Sequence, residues 1–321
     1  MMENKIRKSF FPVLMVAAAL FLSDSAFAQR VGSFDHLLNQ IEMEEDLSFV
    51  ASDLAAGRES GTPGKQAVEQ FIVRRFRNLG LKPYHWCYTE SVPYNDSIVL
   101  RNVVGYLPAV APSNEYIIVG AHYDHVGTLA GRIYPGADDN ASGVSALLGL
   151  AKLFATLKAE GKGPAKNIIF VAFDGKELSM SGSEHFVKNL DIPRGSIVCA
   201  LNIDMLGTNL VPVGVNSNYI IALGENTVEE KYRGYLKYLT RNVKYKMDLD
   251  LTFYGSRNFT DIVYKTGDQY PFAKAGIPSM LFTSAFHDHT YKPTDTKEII
   301  NFPLLRRRTL VIFNFLLRLC E

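Results

Sequence analysis

Cysteine is scarce: Cys87, Cys199 and Cys320 are the only three in 321 residues. Thiols so few and so widely spaced exclude a disulfide framework and a thiolate-based zinc site, and allow at most one pair. An excess of charge of one sign is also missing, with 34 Lys+Arg against 33 Asp+Glu. Charge therefore gives no footprint for nucleic acid or another polyanion. No internal repeat, low-complexity tract or long Pro/Ser linker breaks the chain, which speaks against a solenoid and for one folded domain. At 47% hydrophobic and 21% charged, the composition is that of a globular protein with a sizeable core.

Residues 1–28 carry Lys5, Arg7 and Lys8, then an apolar run from Phe10 to Leu22, then Ala26-Phe27-Ala28. This order of basic, apolar and small residues predicts a secretory signal peptide cleaved after Ala28. The alternative, an uncleaved anchor, needs a longer apolar run than this one. The expectation is an exported domain over residues 29–321, periplasmic or extracellular, without membrane insertion after cleavage.

Within that domain, Gly61-Thr62-Pro63-Gly64 opens a helix that places Val68, Phe71, Ile72, Phe76 and Leu79 on one face and stops at Gly80. Short apolar runs recur at Tyr116–Val119, Ile168–Phe173, Ile197–Ile203, Tyr219–Leu223 and Ser279–Phe282. They are too continuous for strands with one wet face and read as central strands buried on both sides. Between the first two lies a helical pattern, Val144, Leu147, Leu148, Ala151, Phe154 and Leu157, entered through Asp139-Asn140 as capping residues. Alternating strands and helices imply an α/β class: a single α/β/α layered domain around a mixed, mostly parallel central sheet.

Four of the five runs lead into an acid or a histidine. His122-Tyr123-Asp124-His125 follows the first, Asp174-Gly175-Lys176-Glu177 the second, Asp204 the third, and His287, Asp288 and His289 follow Ser279–Phe282. In an open α/β sheet, ligands bind at the carboxyl ends of the strands, so these side chains should converge in one crevice. The loop 131–143 adds Asp138 and Asp139. An Asp at a helix entrance is usually a cap. His122 with Asp124 has the spacing of a ligating imidazole and the carboxylate that fixes its tautomer. A His/Asp/Glu cluster without thiolates is the donor chemistry of a catalytic zinc centre.

With these residues in place, the sequence resembles the co-catalytic zinc exopeptidases, the family of bacterial leucyl aminopeptidases, aminopeptidase Y and the related glutaminyl cyclases. The likeness runs through Gly57-Arg58, Gly61-Thr62-Pro63-Gly64, Arg101-Asn102-Val103-Val104-Gly105 and Gly120-Ala121-His122-Tyr123-Asp124-His125. It continues through Gly136-Ala137-Asp138-Asp139-Asn140-Ala141-Ser142-Gly143, Asp204-Met205-Leu206-Gly207, Tyr270-Pro271-Phe272 and Lys292-Pro293-Thr294-Asp295-Thr296. The resemblance implies a phosphorylase/hydrolase-like fold, peptide substrates and two zinc ions, with one ion as the variant seen in cyclases. By the same resemblance, His122 and Asp204 are ligands of one ion, Asp139 bridges, Glu177 binds the second, and Asp124 orients His122. The implied reaction is hydrolysis of a peptide bond near a terminus, most simply as an aminopeptidase.

Two positions depart from that pattern. The family's general base is a glutamate just before the ligand glutamate, and here it is Lys176. An ammonium cannot take a proton from water; the alternatives are a neutral amine with a lowered pKa, or an ion pair with Asp174 or a ligand carboxylate. The family's last histidine aligns without gaps on Tyr291; His289-Thr290 restores a His-Thr pair with two residues inserted, and His287 is a further candidate. His289 is the expected ligand. Beside the exopeptidase stand two alternatives, a glutaminyl cyclase-like acyltransferase and a catalytically impaired metal- and peptide-binding protein.

Overall fold

The computed structural model describes residues 31–210 and 216–321. The signal-peptide reading of residues 1–28 lies outside them. The chain divides into two units, Met1–His36 and Leu37–Glu321, and the fold below is that of the second.

The strands are β1 Lys82–Pro83, β2 Thr89–Pro93, β3 Val99–Leu107, β4 Tyr116–His122, the hairpin β5 Thr128–Leu129 with β6 Arg132–Ile133, β7 Asn167–Phe173, β8 Ile197–Ile203, β9 Tyr219–Leu223, β10 Asp248–Asp250 and β11 Ser279–Thr283. The main helices are α1 Gln40–Val50, α2 Pro63–Asn78, α3 Gly143–Ala159, α4 Ser181–Lys188, α5 Glu230–Arg241, α6 Arg257–Lys265, α7 Gln269–Lys274 and α8 Phe302–Leu319. All five apolar runs singled out in the sequence are strands, and β4, β7 and β9 are buried along nearly their whole length. The sheet runs β1-β3-β7-β4-β8-β11-β9-β10, with β2 on β3. Its centre, β7-β4-β8-β11, is parallel throughout. The flanks turn antiparallel, β3 against β7 and β9 against β11.

Helices cover both faces. Ile118, Ile169, Val171 and Phe173 pack with Phe186 of α4 and Phe272 of α7 in one apolar cluster. Helix α3 lies on β4, β7 and β8, with α1 and α8 packed against it. The chain therefore has the α/β/α layering expected of its pattern.

Helix α2 starts where the sequence says it should. Thr62 Oγ1 accepts from the backbone N–H of Lys65 and Pro63 opens the first turn. Val68, Ile72 and Phe76 are buried, whereas Phe71 is half-exposed and stacks on Phe49 with ring centroids 4.4 Å apart. The entrance to α3 divides the two residues expected to cap it. Asn140 Oδ1 accepts the Gly143 N–H at 3.1 Å, while neither carboxylate oxygen of Asp139 has a hydrogen-bond partner. The three cysteines are free thiols, Cys87 exposed and Cys199 and Cys320 buried.

One ion pair under this shell carries a pH prediction. Asp46 of α1 meets Arg75 of α2 at 2.9 Å, yet burial outweighs the guanidinium and pushes the Asp46 carboxyl up to about 6. An acid whose pKa rises on folding loses stability as pH climbs from its unfolded value, near 4, through the folded value, and loses nothing more above it. The stability difference between wild type and Asp46→Asn is expected to shift against the wild type by about 2 kcal/mol between pH 4 and pH 7. Urea unfolding of both proteins across that interval checks it; parallel curves would show that Arg75 fully offsets the burial.

Candidate metal centre

Because β7, β4, β8 and β11 are parallel neighbours, their carboxyl ends open on one edge of the sheet. His122 is the last residue of β4, Asp174 follows β7, Asp204 follows β8, and the loop after β11 brings His287. Ligand atoms of His122, Asp139 and Glu177 all lie within 4.8 Å of one another. His122 Nε2 is 3.4 Å from Asp139 Oδ1 and 3.3 Å from Asp204 Oδ1. On the other side of the ring, Nδ1 is 3.0 Å from the Asp124 carbonyl oxygen and 3.7 Å from its Oδ1. Asp124 also accepts the backbone N–H groups of Lys176 at 3.1 Å and of Glu177 at 3.0 Å. Asp124 thus fixes the imidazole through its carbonyl oxygen and the turn that carries Glu177 through its carboxylate. Burial by itself would raise the Asp124 carboxyl; His122 and the two N–H donors hold it below the usual range.

The loop bearing Asp139 is anchored by groups other than its own carboxylate. Asp295 Oδ1 accepts the Asp138 N–H at 2.8 Å and its Oδ2 the Asp139 N–H at 3.1 Å. Arg58, fully buried, donates to the carbonyls of Tyr123 at 2.9 Å, Pro135 at 2.5 Å, Gly136 at 2.9 Å and Asp139 at 3.3 Å. Gly57 before it has φ +74°, and a Cβ there would stand 2.3 Å from Gly127 O, so only glycine lets this segment approach. With the backbone held in this way, both Asp139 carboxylate oxygens are buried without a hydrogen-bond partner among the described residues, as are both ring nitrogens of His125. Unpaired buried acceptors are costly, and oxygen and imidazole donors converging without thiolates fit a hard or borderline divalent cation.

Lys176 points into this group. Its Nζ lies 3.1 Å from Glu177 Oε1, 3.7 Å from Asp139 Oδ1 and 3.3 Å from the Tyr291 hydroxyl. Asp174, the other partner considered for it, is taken by Lys65 at 2.6 Å. Burial works against the ammonium, but Asp139, Asp204 and Glu177 prevail and hold its pKa well above the usual value. The neutral amine weighed from the sequence is therefore not what this environment favours.

The geometry does not bring the expected last ligand to this group. His289 stands apart from the group: its Nδ1 lies 2.9 Å from Thr294 Oγ1 and its N–H donates to His287 Nδ1. His287 Nε2 goes to Asp138 at 3.1 Å. Tyr291 is the residue that reaches Glu177, its hydroxyl 3.2 Å from Oε2. The reason is the run of tight turns from His287 to Asp295, with backbone bonds Thr290 to His287, Lys292 to His289 and Asp295 to Lys292. His125 went without a role in the sequence, although it directly follows Asp124. It is buried 3.9 Å from Asp139 Oδ2 and 4.0 Å from Glu177 Oε1, and stacks on Tyr291.

Beside the group opens a cavity of about 460 Å³. Lys176, Glu177, Asp204 and Tyr291 form its polar wall; Phe253, Val263, Leu281 and Phe286 are among its apolar lining. Phe253 thus rims the crevice.

The model of peptidase family M28 matches residues 102–316, which takes in every residue of this group. The chain belongs to peptidase family M28. Among curated M28-like relatives, aminopeptidase YwaD of Bacillus subtilis is 30% identical over 189 residues, covering 57% of this chain and 35% of that protein. The chain thus spans about a third of that relative's length. Among solved structures, BSAP, a zinc aminopeptidase from Bacillus subtilis, superposes with a TM-score of 0.69 at 15% identity, covering 88% of this chain and 95% of that one. Glutaminyl cyclase from Porphyromonas gingivalis superposes with a TM-score of 0.66 at 17% identity, covering 87% and 98%. At these identities the two structures speak for the M28 fold alone.

Proposed function

We propose that this protein is an exported zinc-dependent exopeptidase of aminopeptidase type, in which Lys176 stands where relatives carry the general-base glutamate. The observation that carries this reading is the Asp139 carboxylate, buried with neither oxygen hydrogen-bonded among the described residues, between His122 and Lys176 at the carboxyl edge of the sheet. His122, Asp139 and Asp204 would hold a zinc ion, with Glu177 beside them. Zinc, when bound, supplies Lewis-acid polarisation of a carbonyl and a lowered pKa for water.

The chain's own residues set the rest. Asp124 keeps His122 Nδ1 engaged, so that Nε2 faces the carboxylates. The apolar wall of the cavity excludes water and receives an apolar side chain. Lys176 and Tyr291 place hydrogen-bond donors against Glu177, where they can orient a carbonyl or carboxylate of the substrate. The amino-terminal pattern of residues 1–28 supports export, where free zinc is met outside the cytoplasm.

The test is release of terminal residues from unblocked peptides by the purified protein, with and without a chelator. Chelator-sensitive release of amino-terminal residues supports the proposal. Ammonia from glutaminyl peptides in place of amino acids would mark a cyclase. Binding without turnover would mark a metal- and peptide-binding protein.

A further inference from the structure

Two cation places meet at Asp139, and in this chain they are not alike. On one side, His122 Nε2 faces Asp139 Oδ1 at 3.4 Å and Asp204 Oδ1 at 3.3 Å. No lysine or arginine is paired with Asp204 among the described residues. On the other side, the Lys176 ammonium lies 3.1 Å from Glu177 Oε1 and 3.7 Å from Asp139 Oδ1, the two carboxylates that a second ion would share. The Tyr291 hydroxyl closes the same place, 3.3 Å from Lys176 Nζ and 3.2 Å from Glu177 Oε2.

We infer that the Lys176 ammonium is a built-in cation that takes the place of a second metal ion, so that the protein holds one zinc ion, on His122, Asp139 and Asp204. This rests on the zinc reading above. Charge supports it. Asp139, Glu177 and Asp204 face the crevice as three carboxylates, and one divalent ion with one ammonium balances them. A second divalent ion would have to sit within a few ångström of an ammonium that cannot leave, since its side chain is only 11% exposed and tethered next to Glu177.

Want of ligands does not account for a single ion. With Lys176 removed, Glu177, Asp139 and His125 would remain around the place. His125 is 1% exposed and both its ring nitrogens are without a hydrogen-bond partner. It stands 3.9 Å from Asp139 Oδ2 and 4.0 Å from Glu177 Oε1, within reach of an ion through a small side-chain shift. The ammonium, and not an empty shell, is what keeps a second ion out.

The test counts ions rather than turnover. Metal-stripped wild type, Lys176→Gln and Lys176→Arg are titrated with Zn²⁺ by calorimetry, then dialysed and analysed for bound metal, with circular dichroism to confirm the fold. Wild type and Lys176→Arg, which keeps the positive charge, are expected to bind one ion per chain. Lys176→Gln is expected to bind two, the second at least about 100-fold tighter than any second event in wild type. Lys176→Met repeats the neutral case should the glutamine variant misfold. Two ions in wild type or in Lys176→Arg would overturn the inference, as would a folded neutral variant that stays at one. No ion in folded wild type would overturn the zinc reading itself.

Discussion

With a leucyl anilide as substrate, Lys176→Glu is expected to exceed the wild type by about 100-fold or more in kcat/KM. Two effects act in the same direction. A free α-ammonium seeking the carboxylates of the crevice meets the Lys176 ammonium already placed 3.1 Å from Glu177 and 3.7 Å from Asp139. Two like charges about 4 Å apart repel by roughly 4 kcal/mol at an effective dielectric near 20, more than one neutral hydrogen bond returns. A carboxylate at position 176 removes that repulsion and adds a group able to take a proton from water, a role worth about 10² to 10⁴ in rate. An acetylated leucyl anilide separates the two effects, because it carries no ammonium and should gain only the part due to the base. Steady-state kinetics on both substrates, with metal content measured alongside, checks the prediction. Equal kcat/KM for the two proteins on the free-amine substrate would mean that neither the charge nor the missing base at this position limits the reaction.

Most of the scaffold was legible because its signals are local. The runs that became β4, β7, β8, β9 and β11 are continuous and apolar, and a strand buried on both faces has no other way to be written. The rule that ligands gather at the carboxyl ends of parallel strands then places His122, Asp139, Glu177 and Asp204 at one edge. The opposite direction of β9 against β11 was not legible, because the intervening segment 224–278 returns through helices whose path no periodicity encodes. Which residue after β11 faces the centre was not legible for a related reason. Between His287 and Asp295 the chain turns three times within nine residues, so distance along the sequence says nothing of which side chain faces Glu177. Arg58 shows the same limit from another side. Its partners, the carbonyls of Tyr123, Pro135, Gly136 and Asp139, are 65 to 81 residues away, and a guanidinium spent on backbone carbonyls has no counterpart acid for a reader of the sequence to find.

Asp139→Ala is expected to lose at least nine-tenths of the bound zinc and to abolish detectable turnover while keeping the fold. The backbone at this position does not depend on the side chain. Asp295 takes the Asp139 N–H at 3.1 Å and Arg58 donates to its carbonyl at 3.3 Å, and alanine preserves both. The carboxylate, by contrast, is 1% exposed with neither oxygen hydrogen-bonded among the described residues; its Oδ1 faces His122 Nε2 at 3.4 Å and the Lys176 ammonium at 3.7 Å, so its loss removes the acid that a metal ion on His122 would share. Ligand linkage gives a readout independent of activity. An ion held only by the native state stabilises it by about 4 kcal/mol when present at a thousand times its dissociation constant. The wild type should therefore lose several degrees of thermal midpoint on adding a chelator, whereas the midpoint of Asp139→Ala should not respond. Unchanged zinc content in the variant, or a chelator response equal to that of the wild type, would place the ion elsewhere.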